Sequence, residues 1–530
     1  MMSVLPTAIS LVAICAFLLV VWPFRARLKG SFNRNPQYPL PPGPPRSLLV
    51  GNLLDIPRFR AWHKFLQWKD QYGDVVYAEA LGNSILILNT IESVTDLLVK
   101  KPSIYSDRPI FTMAGELMTL DNSMPMLQYG ATWREHRKLS RMALSPDAVK
   151  RYHRVQEDII AMYVDSLLEH PAEFASQLRL TAGRIIMSVS YGLPVQTPDD
   201  LYITDAEETM DMVGKVTVPG AFWVDLIPCL KYLPSWIPFN KIHQVGSFGR
   251  QRVERMIARP FEHVLEEMAK GVARPSFVYD CLKKLQSNGD ASSKVSLDLI
   301  RWAAGTLYGA GGESTYATIL TFILAMALYP EVQIEIRREL SKVVGLHRLP
   351  SIEDRDRLPY VSATVKEAMR WSPALPLGIA RRVTRDDHYR GYHIPRGTIV
   401  LPNVWAISKD DKSGIPSERF APERFLQNCV KETAIDPYLY AFGFGRRECP
   451  GKYLGENNLF LLISYISATV EISSPQDTSG NGIAPNPNFT AGLISFPEPF
   501  SVEFTPVSHQ AVMLIKEKVV HVRSADQISQ

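Results

Sequence analysis

The chain has 530 residues, 46% of them hydrophobic, and its formal net charge is +4 at pH 7. A chain of this length can bury a large core. Its basic residues are scattered rather than clustered, which excludes an obvious nucleic-acid-binding surface. The five cysteines are widely spaced and odd in number, so the sequence disfavours a disulfide framework and structural zinc and favours a reducing compartment.

The N-terminus is predicted to be a membrane anchor. Residues 4–22 carry no charge and are rich in Leu, Ile, Val, Ala and Phe, which is long enough to cross a bilayer. Arg25, Arg27 and Lys29 follow, and no basic residue precedes the run, so residues 1–24 should span once with the remainder in the cytosol. A cleaved signal peptide is the alternative, disfavoured because the charged start and the small-residue cleavage site are missing.

The next segment, residues 25–45, is basic at first and rich in proline from residue 39 onward. Proline runs exclude helix and favour a stiff extended chain, so we expect a hinge between membrane and globule. The alternative is a proline-rich ligand for another protein's domain.

Hydrophobic patterning predicts one large domain over residues 46–506, mainly α with a minor β-sheet region. Residues 75–78, 85–88 and 389–401 have the alternation of short strands, whereas residues 130–370 are mostly helical. A further helix is expected at residues 454–469. Residues 507–530 are a C-terminal tail for which the sequence predicts no structure.

Residues 302–328 are nearly all apolar and could be a second membrane span. Glu313 lies in the middle of this run, next to several glycines. Because a carboxylate at the centre of a bilayer is costly, a buried helix that contains a functional acid is the better interpretation.

One cysteine lies in a glycine-rich loop, residues 442–451, just before a helical pattern. Gly445 and Gly451 let the backbone turn closely around Cys449, and N–H groups exposed by such a turn can donate to a thiolate. Arg447 is expected to add positive charge that favours deprotonation, and Phe442 to shield the sulfur. A buried structural cysteine is the alternative. The loop favours a thiolate suited to be the axial ligand of a haem iron.

The loop resembles the haem-binding signature of cytochrome P450, Phe-x-x-Gly-x-Arg-x-Cys-x-Gly, at every fixed position: Phe442, Gly445, Arg447, Cys449 and Gly451. The resemblance implies the cytochrome P450 fold, with haem b ligated by Cys449. It implies monooxygenation of a small molecule, using O2 and electrons that NADPH supplies through a cytochrome P450 reductase, with cytochrome b5 as a second donor. It also implies the endoplasmic reticulum membrane as location and a cytosolic catalytic domain.

Further motifs of that family are present in order. Residues 310–315 resemble the central-helix signature, which makes Glu313 and Ser314 the implied proton relay; Ser314 replaces the usual threonine, so Thr315 is a substitute candidate. A glycine-weakened core helix with a stray acid is the alternative. The remaining implied residues fall into two groups: haem-propionate partners Trp133, Arg137 and Arg381, and a structural ion cluster of Glu367, Arg370 and Arg424.

The predicted substrate pocket is apolar, which suits a lipophilic terpenoid, polyketide or aromatic compound. Its candidate residues are Phe111, Met113, Met118, Tyr308, Ala310, Leu375, Leu377, Ile379, Leu493 and Ile494. Ordinary core packing is an equally good interpretation of each residue. The stretches at residues 105–109 and 390–392 look most like fungal microsomal members that act in secondary metabolism. The reductase is expected to dock where Arg446, Arg447 and Lys452 offer positive charge.

Two other functions remain open from the residues. One is a haem-thiolate isomerase or dehydratase that uses neither O2 nor a reductase; the other is a non-catalytic haem carrier or sensor. The paired acid and hydroxyl of Glu313 and Ser314 disfavour both, because neither needs protons delivered to bound dioxygen.

Overall fold

The computed structural model of the chain describes residues 38–528 except positions 49, 196, 198, 219–220, 235–240, 288–296 and 477–481. The predicted anchor at residues 1–24 and the basic part of the predicted hinge lie outside the described residues.

Helices make up most of the described chain, as the sequence predicts. They are α1 Ala61–Tyr72, α2 Ile91–Val94, α3 Pro102–Tyr105, α4 Ala131–Leu144, α5 Pro146–Val149, α6 His153–Glu169, α7 Phe174–Tyr191, α8 Leu201–Val216, α9 Trp223–Leu226, α10 Ile242–Lys270, α11 Phe277–Ser287, α12 Leu297–Gly311, α13 Glu313–Leu328, α14 Pro330–Val343, α15 Pro359–Trp371, α16 Val404–Lys409, α17 Lys452–Thr469 and α18 His509–Ile528. Two π-helical turns, Thr95–Val99 and Thr112–Leu117, join the early elements.

The strands form three small sheets beside the helical body. They are β1 Val75–Ala80, β2 Asn83–Leu88, β3 Arg381–Arg382, β4 Asp387–Tyr389, β5 Tyr392–Ile394, β6 Ile399–Pro402, β7 Val470–Ser473 and β8 Glu503–Pro506. The largest sheet has the order β1-β2-β6-β3, with β2 and β6 parallel and Leu86 opposite Val400. The other two sheets are the hairpin β4-β5 and the antiparallel pair β7-β8. The strands predicted from alternation are confirmed.

The apolar run predicted as one buried helix forms two. α12 ends at Gly311 and α13 begins at Glu313; Gly312 between them keeps right-handed helical angles (φ −81°, ψ −55°), so the two follow each other almost without a gap. α13 is apolar all round, and Phe322 through Met326 have no exposed surface. The run Leu297–Leu328 is long and apolar enough to cross a membrane, yet 67% of its most apolar window is buried inside the protein. The structure therefore agrees with a core helix.

The proline-rich stretch packs onto the globule and is not a free spacer. The N–H of Tyr77 donates to the Pro42 carbonyl at 2.8 Å, and the N–H of His393 donates to the Pro39 carbonyl at 2.8 Å. A β-carbon at Gly43 would come within 1.9 Å of the Tyr77 carbonyl oxygen, so only glycine permits this approach. From Pro39 onward, the predicted hinge belongs to the sheet region.

The C-terminal tail, for which the sequence predicted no structure, contains helix α18. Ile515 and Val519 are buried on one of its faces, against α6. Lys518 pairs with Asp158 at 2.5 Å, which fixes the helix along α6. Among the described side chains of this helix only these two are buried, so its apolar period is too short to be recognised in the sequence.

Candidate active site

The cysteine loop is held by glycines that adopt conformations other residues avoid. Gly443 and Gly445 have φ values of 78° and 56°. A β-carbon at Gly445 would lie 2.5 Å from the Leu98 carbonyl oxygen, so the loop also presses against neighbouring backbone. The N–H of Cys449 donates to the Phe442 carbonyl at 2.7 Å, which closes the turn. The loop can fold this way because glycine occupies both positions with left-handed φ, Gly443 and Gly445, and also the position that touches the Leu98 backbone.

Cys449 is accessible to solvent although protein surrounds it on all sides, so its sulfur faces an internal cavity. Burial raises the pKa of the thiol, while the N–H of Gly451 and the charge of Arg137 lower it. The strongest nearby cation is therefore Arg137, and not Arg447 as the sequence suggested. A thiolate here needs a further positive charge next to the sulfur, such as a haem iron would supply.

Arg447 is tied to backbone carbonyls. It is only 8% exposed and donates to the carbonyls of Ser106, Met124 and Leu127 at 2.9, 3.1 and 2.6 Å. Its guanidinium also lies 4.8 Å from the Trp133 ring centroid. Because Arg447 is buried, its charge is not available to a partner protein at the surface. Arg447 is therefore removed from the residues predicted to dock the reductase.

Four buried or half-buried arginines converge beside the cysteine loop. Arg381 donates to the Phe444 carbonyl at 3.0 Å, and its Nε has no hydrogen-bond partner among the described residues. Arg137 donates to the Glu448 carbonyl at 2.6 Å. Arg108 donates to the Ile379 carbonyl at 2.7 Å. Burial and mutual repulsion lower the pKa of Arg381 to about 9 and that of Arg447 to about 10.

This cluster fits a group that carries two carboxylates. Burial, Arg381 and Arg447 lower the pKa of Arg108 and Asp107 opposes them, with a net shift downward, so further negative charge here would stabilise these cations. Haem propionates would supply it, because bidentate carboxylate pairing is what guanidinium favours. The sequence analysis did not identify Arg108 as a candidate partner of the haem propionates. The signal available for it was its position directly before a long apolar stretch.

Part of the central helix also retains accessible surface. Ala310 is exposed although its neighbours Tyr308 and Gly309 are buried, so α12 presents this residue to internal space. Glu313 Oε2 lies 3.4 Å from Arg179 on α7, with 15% of its side chain exposed. Burial raises the pKa of Glu313, and Arg179 opposes that shift.

A small cavity of about 30 Å³ lies beside Glu313, large enough for a water molecule. Its charged lining residues are Arg179, Glu207 and Glu313. Glu207 lies 3.9 Å from Arg179 and is 38% exposed. The arrangement can pass protons between the surface and the junction of α12 and α13.

The two hydroxyl candidates differ in placement. Ser314 is partly exposed at the start of α13, next to its junction with α12. Thr315 is 4% exposed, and its hydroxyl faces the Gly311 carbonyl of its own helix at 3.5 Å. The hydroxyl of Thr315 therefore faces its own helix, and its substitution for the usual threonine stays a prediction.

Seven of the ten predicted pocket residues retain accessible surface: Phe111, Ala310, Leu375, Leu377, Ile379, Leu493 and Ile494. The N–H of Ser495 donates to the Ala374 carbonyl at 2.8 Å, which brings the late turn beside the segment after α15. The arginine cluster contacts the Ile379 carbonyl, so this segment reaches the predicted haem edge.

The other three predicted pocket residues, Met113, Met118 and Tyr308, are buried by packing. Met113 and Met118 have no exposed surface, and Met118 packs on Gly249 of α10. Tyr308 donates its hydroxyl to the Tyr202 carbonyl and packs against Tyr191. Leu377 is partly buried against the small core between α1 and the large sheet. Met113 and Met118 offer no accessible surface to a ligand in this structure, whereas Tyr308 lines the small cavity beside Glu313.

The structure places Glu367 between two arginines behind the cysteine loop. Glu367 lies 2.6 Å from Arg370 Nε and 3.0 Å from Arg424 Nε, and all three side chains are at most 1% exposed. Arg424 also pairs with Asp411. The N–H of Ala421 donates to Glu367 at 2.7 Å. The cluster joins α15 to the segment that leads into the loop.

Comparison with known proteins agrees with this geometry. The cytochrome P450 family profile matches residues 41–504. Cytochrome P450 monooxygenase COX2 of Coprinopsis cinerea is 41% identical over 85% of this chain and 86% of its own length. Cytochrome P450 monooxygenase claR of Ampulloclitocybe clavipes is 38% identical over 90% and 88%, and cytochrome P450 monooxygenase 208 of Postia placenta 36% identical over 95% and 96%. The chain belongs to the cytochrome P450 family and is an oxidoreductase of the monooxygenase type.

Proposed function

We propose that this enzyme oxidises a lipophilic small molecule, a terpenoid, polyketide or aromatic compound, in fungal secondary-metabolite biosynthesis. NADPH would supply electrons through a cytochrome P450 reductase, with cytochrome b5 as a second donor. The enzyme would be held at the endoplasmic reticulum membrane by residues 1–24, with the catalytic domain in the cytosol. The proposal is supported by the apolar remainder of the pocket and by similarity to fungal relatives over nearly the whole chain.

Haem b would be held between the cysteine loop and α12. Cys449 would provide the axial thiolate, and Arg108, Arg137, Arg381 and Arg447 would neutralise the propionates. When bound, a thiolate-ligated haem activates O2 for insertion of oxygen into a C–H bond. The protein residues position the haem and substrate and control protons.

Proton supply is the observation that favours monooxygenation over isomerase, dehydratase or carrier functions. Glu313 is partly buried at the junction of α12 and α13, beside a water-sized cavity that also contacts the exposed Glu207. Burial raises the pKa of Glu313, so it can hold a proton nearer neutral pH than an exposed glutamate. Ser314 lies next to it and would pass the proton into the main cavity. An enzyme that consumes no protons has no use for this arrangement.

Glu313→Gln tests the relay. We expect product formation to fall about a hundredfold, the low end of the usual contribution of a proton-transferring group, while haem content and substrate binding are unchanged. Product, NADPH consumption and O2 uptake should be measured with a co-expressed reductase.

Glu207→Gln is the matched control, since Glu207 approaches the same arginine but is 38% exposed. We expect a smaller loss there, because solvent can replace an exposed group. Full activity of Glu313→Gln would contradict the relay. Product formation without NADPH or O2 would instead support the isomerase alternative.

The remaining docking residues for a reductase are Arg446 and Lys452. Arg446 is exposed and donates to the Tyr129 hydroxyl at 2.7 Å, while Lys452 lies 3.3 Å from Glu448. We expect Arg446→Glu with Lys452→Glu to slow reductase-driven turnover but not turnover driven by a peroxide. Arg338→Glu, on an exposed face of α14, is the control. Equal reductase-driven rates in all three proteins would rule out docking at this face.

A further inference from the structure

The late turn, residues 488–498, is folded back on itself as a narrow hairpin. Phe489 and Pro497 face each other across it in an antiparallel bridge. Leu493 and Ile494, two of the predicted pocket residues, lie at its tip, and both are partly exposed. A two-stranded hairpin this short is marginally stable by itself, so the position of its tip depends on what holds the hairpin from outside.

Two contacts place the tip beside elements that border the predicted haem site. The N–H of Ser495 donates to the Ala374 carbonyl at 2.8 Å, in the segment after α15. The Phe496 ring meets the Tyr316 ring of α13 edge-on, with 5.8 Å between the ring centroids. Tyr316 follows Glu313 by three residues on the same helix. The tip therefore lies between α13 and the segment after α15, where a substrate is expected.

The base of the late turn is tied to the start of α1 by one side chain. Arg60, the residue directly before α1, donates from Nη2 to the Phe489 carbonyl and, at 3.2 Å, to Glu498 Oε1. Phe489 and Glu498 belong to opposite strands of the hairpin. Because the guanidinium is planar and its donors are fixed in direction, one arginine can hold both strands in a defined orientation.

The backbone of Arg60 is in a conformation that favours glycine. Its φ and ψ are 52° and 40°, in the left-handed region, where a β-carbon is unfavourable. The side chain is 38% exposed, so burial does not explain why an arginine stands here. Glycine would relieve the backbone but would lose both contacts to the late turn. The strain therefore points to a role for the guanidinium.

We propose that Arg60 is a positioning residue that shapes the substrate pocket through the late turn, without touching the substrate. The proposal rests on the proposed function in taking Leu493 and Ile494 as substrate contacts. Without Arg60 the hairpin loses the clamp at its base, so its tip samples several positions. A ligand that packs on the tip must then select one of them, which weakens its binding in proportion to the population of that position.

Arg60→Gly tests this, because it removes the side chain and relieves the backbone together. Imidazole and clotrimazole are titrated into the full-length holoenzyme and followed by the shift of the haem Soret band. Imidazole reaches little beyond the iron, whereas the three aromatic rings of clotrimazole must pack on the pocket walls. We expect clotrimazole to bind about tenfold more weakly, as it would if the ordered late turn were populated about a tenth of the time. Imidazole affinity and thermal unfolding temperature should not fall.

Arg390→Gly is the matched control. Arg390 also has a left-handed φ, 49°, and one ion pair, to Asp74 at 2.9 Å, with 45% of its side chain exposed, but it lies in the turn between β4 and β5. It should leave both azole affinities unchanged. Glu498→Gln removes only the carboxylate contact of Arg60, so it should weaken clotrimazole less than Arg60→Gly, and it replaces that variant if Arg60→Gly does not fold.

Unchanged clotrimazole affinity in Arg60→Gly, or in Glu498→Gln where that variant is used, would overturn the proposal. Equal weakening of both azoles would also overturn it, because the effect would then arise at the haem and not at the late turn. Failure of the proposed function would show separately, as absence of product, which these titrations do not measure.

Discussion

The two sides of the haem cavity are built differently. On the cysteine side, Arg447 is fixed by three carbonyls, and Glu367, Arg370 and Arg424 form a fully buried ion cluster. Away from that cluster, the candidate substrate residues include partly exposed apolar side chains such as Leu493 and Ile494. The polar residues determine the type of reaction, whereas the apolar residues can accept a different substrate by repacking.

Glu367→Gln should have the largest effect. The change removes the charge that compensates two fully buried arginines, and breaking such a cluster typically costs about 3–5 kcal/mol. We expect loss of haem incorporation and of folded protein, measured by the ratio of haem to protein absorbance and by thermal unfolding.

Glu331→Gln is the control for that change. Glu331 pairs with Arg419 at 3.5 Å, but both side chains are more than half exposed, so the pair contributes little. A holoenzyme of normal haem content from Glu367→Gln would show that the buried cluster is not what holds the cysteine side.

Two matched truncations test the apolar side. Met118→Ala should lower the free energy of unfolding by about 2–5 kcal/mol, because Met118 is fully buried against α10. Leu493→Ala should cost less stability, because the side chain is only partly buried, and should instead weaken binding of a lipophilic ligand. Thermal unfolding and the spin-state shift of the haem measure the two effects.

The opposite pattern would reverse the comparison. If Met118→Ala left stability unchanged but weakened ligand binding, Met118 would line the pocket as the sequence first suggested, and the structural assignment would be wrong.

Sequence reasoning succeeded where a residue type is demanded by backbone or charge. Gly445 can be nothing else beside the Leu98 carbonyl, and Glu367 must face cations once it is buried. Such positions form motifs with fixed spacing, so Cys449, the cluster and the α12 signature could all be located from the sequence.

Prediction from the sequence failed at positions where the fold requires only a hydrophobic side chain. Met118 and Leu493 are equally apolar, yet one packs on a helix and the other keeps accessible surface, a difference set by tertiary contacts. Arg108 was missed for a related reason: the role of a single charged residue cannot be inferred until its neighbours in space are known.

The most direct test of the account is the spectrum of Cys449→Ser. We predict that the variant loses the ferrous–carbonyl absorption band typical of thiolate-ligated haem, together with monooxygenase activity. Cys429→Ser, an exposed cysteine outside the loop, should keep both. A Cys449→Ser protein that binds haem and retains the thiolate band would contradict the assignment of Cys449 as the iron ligand.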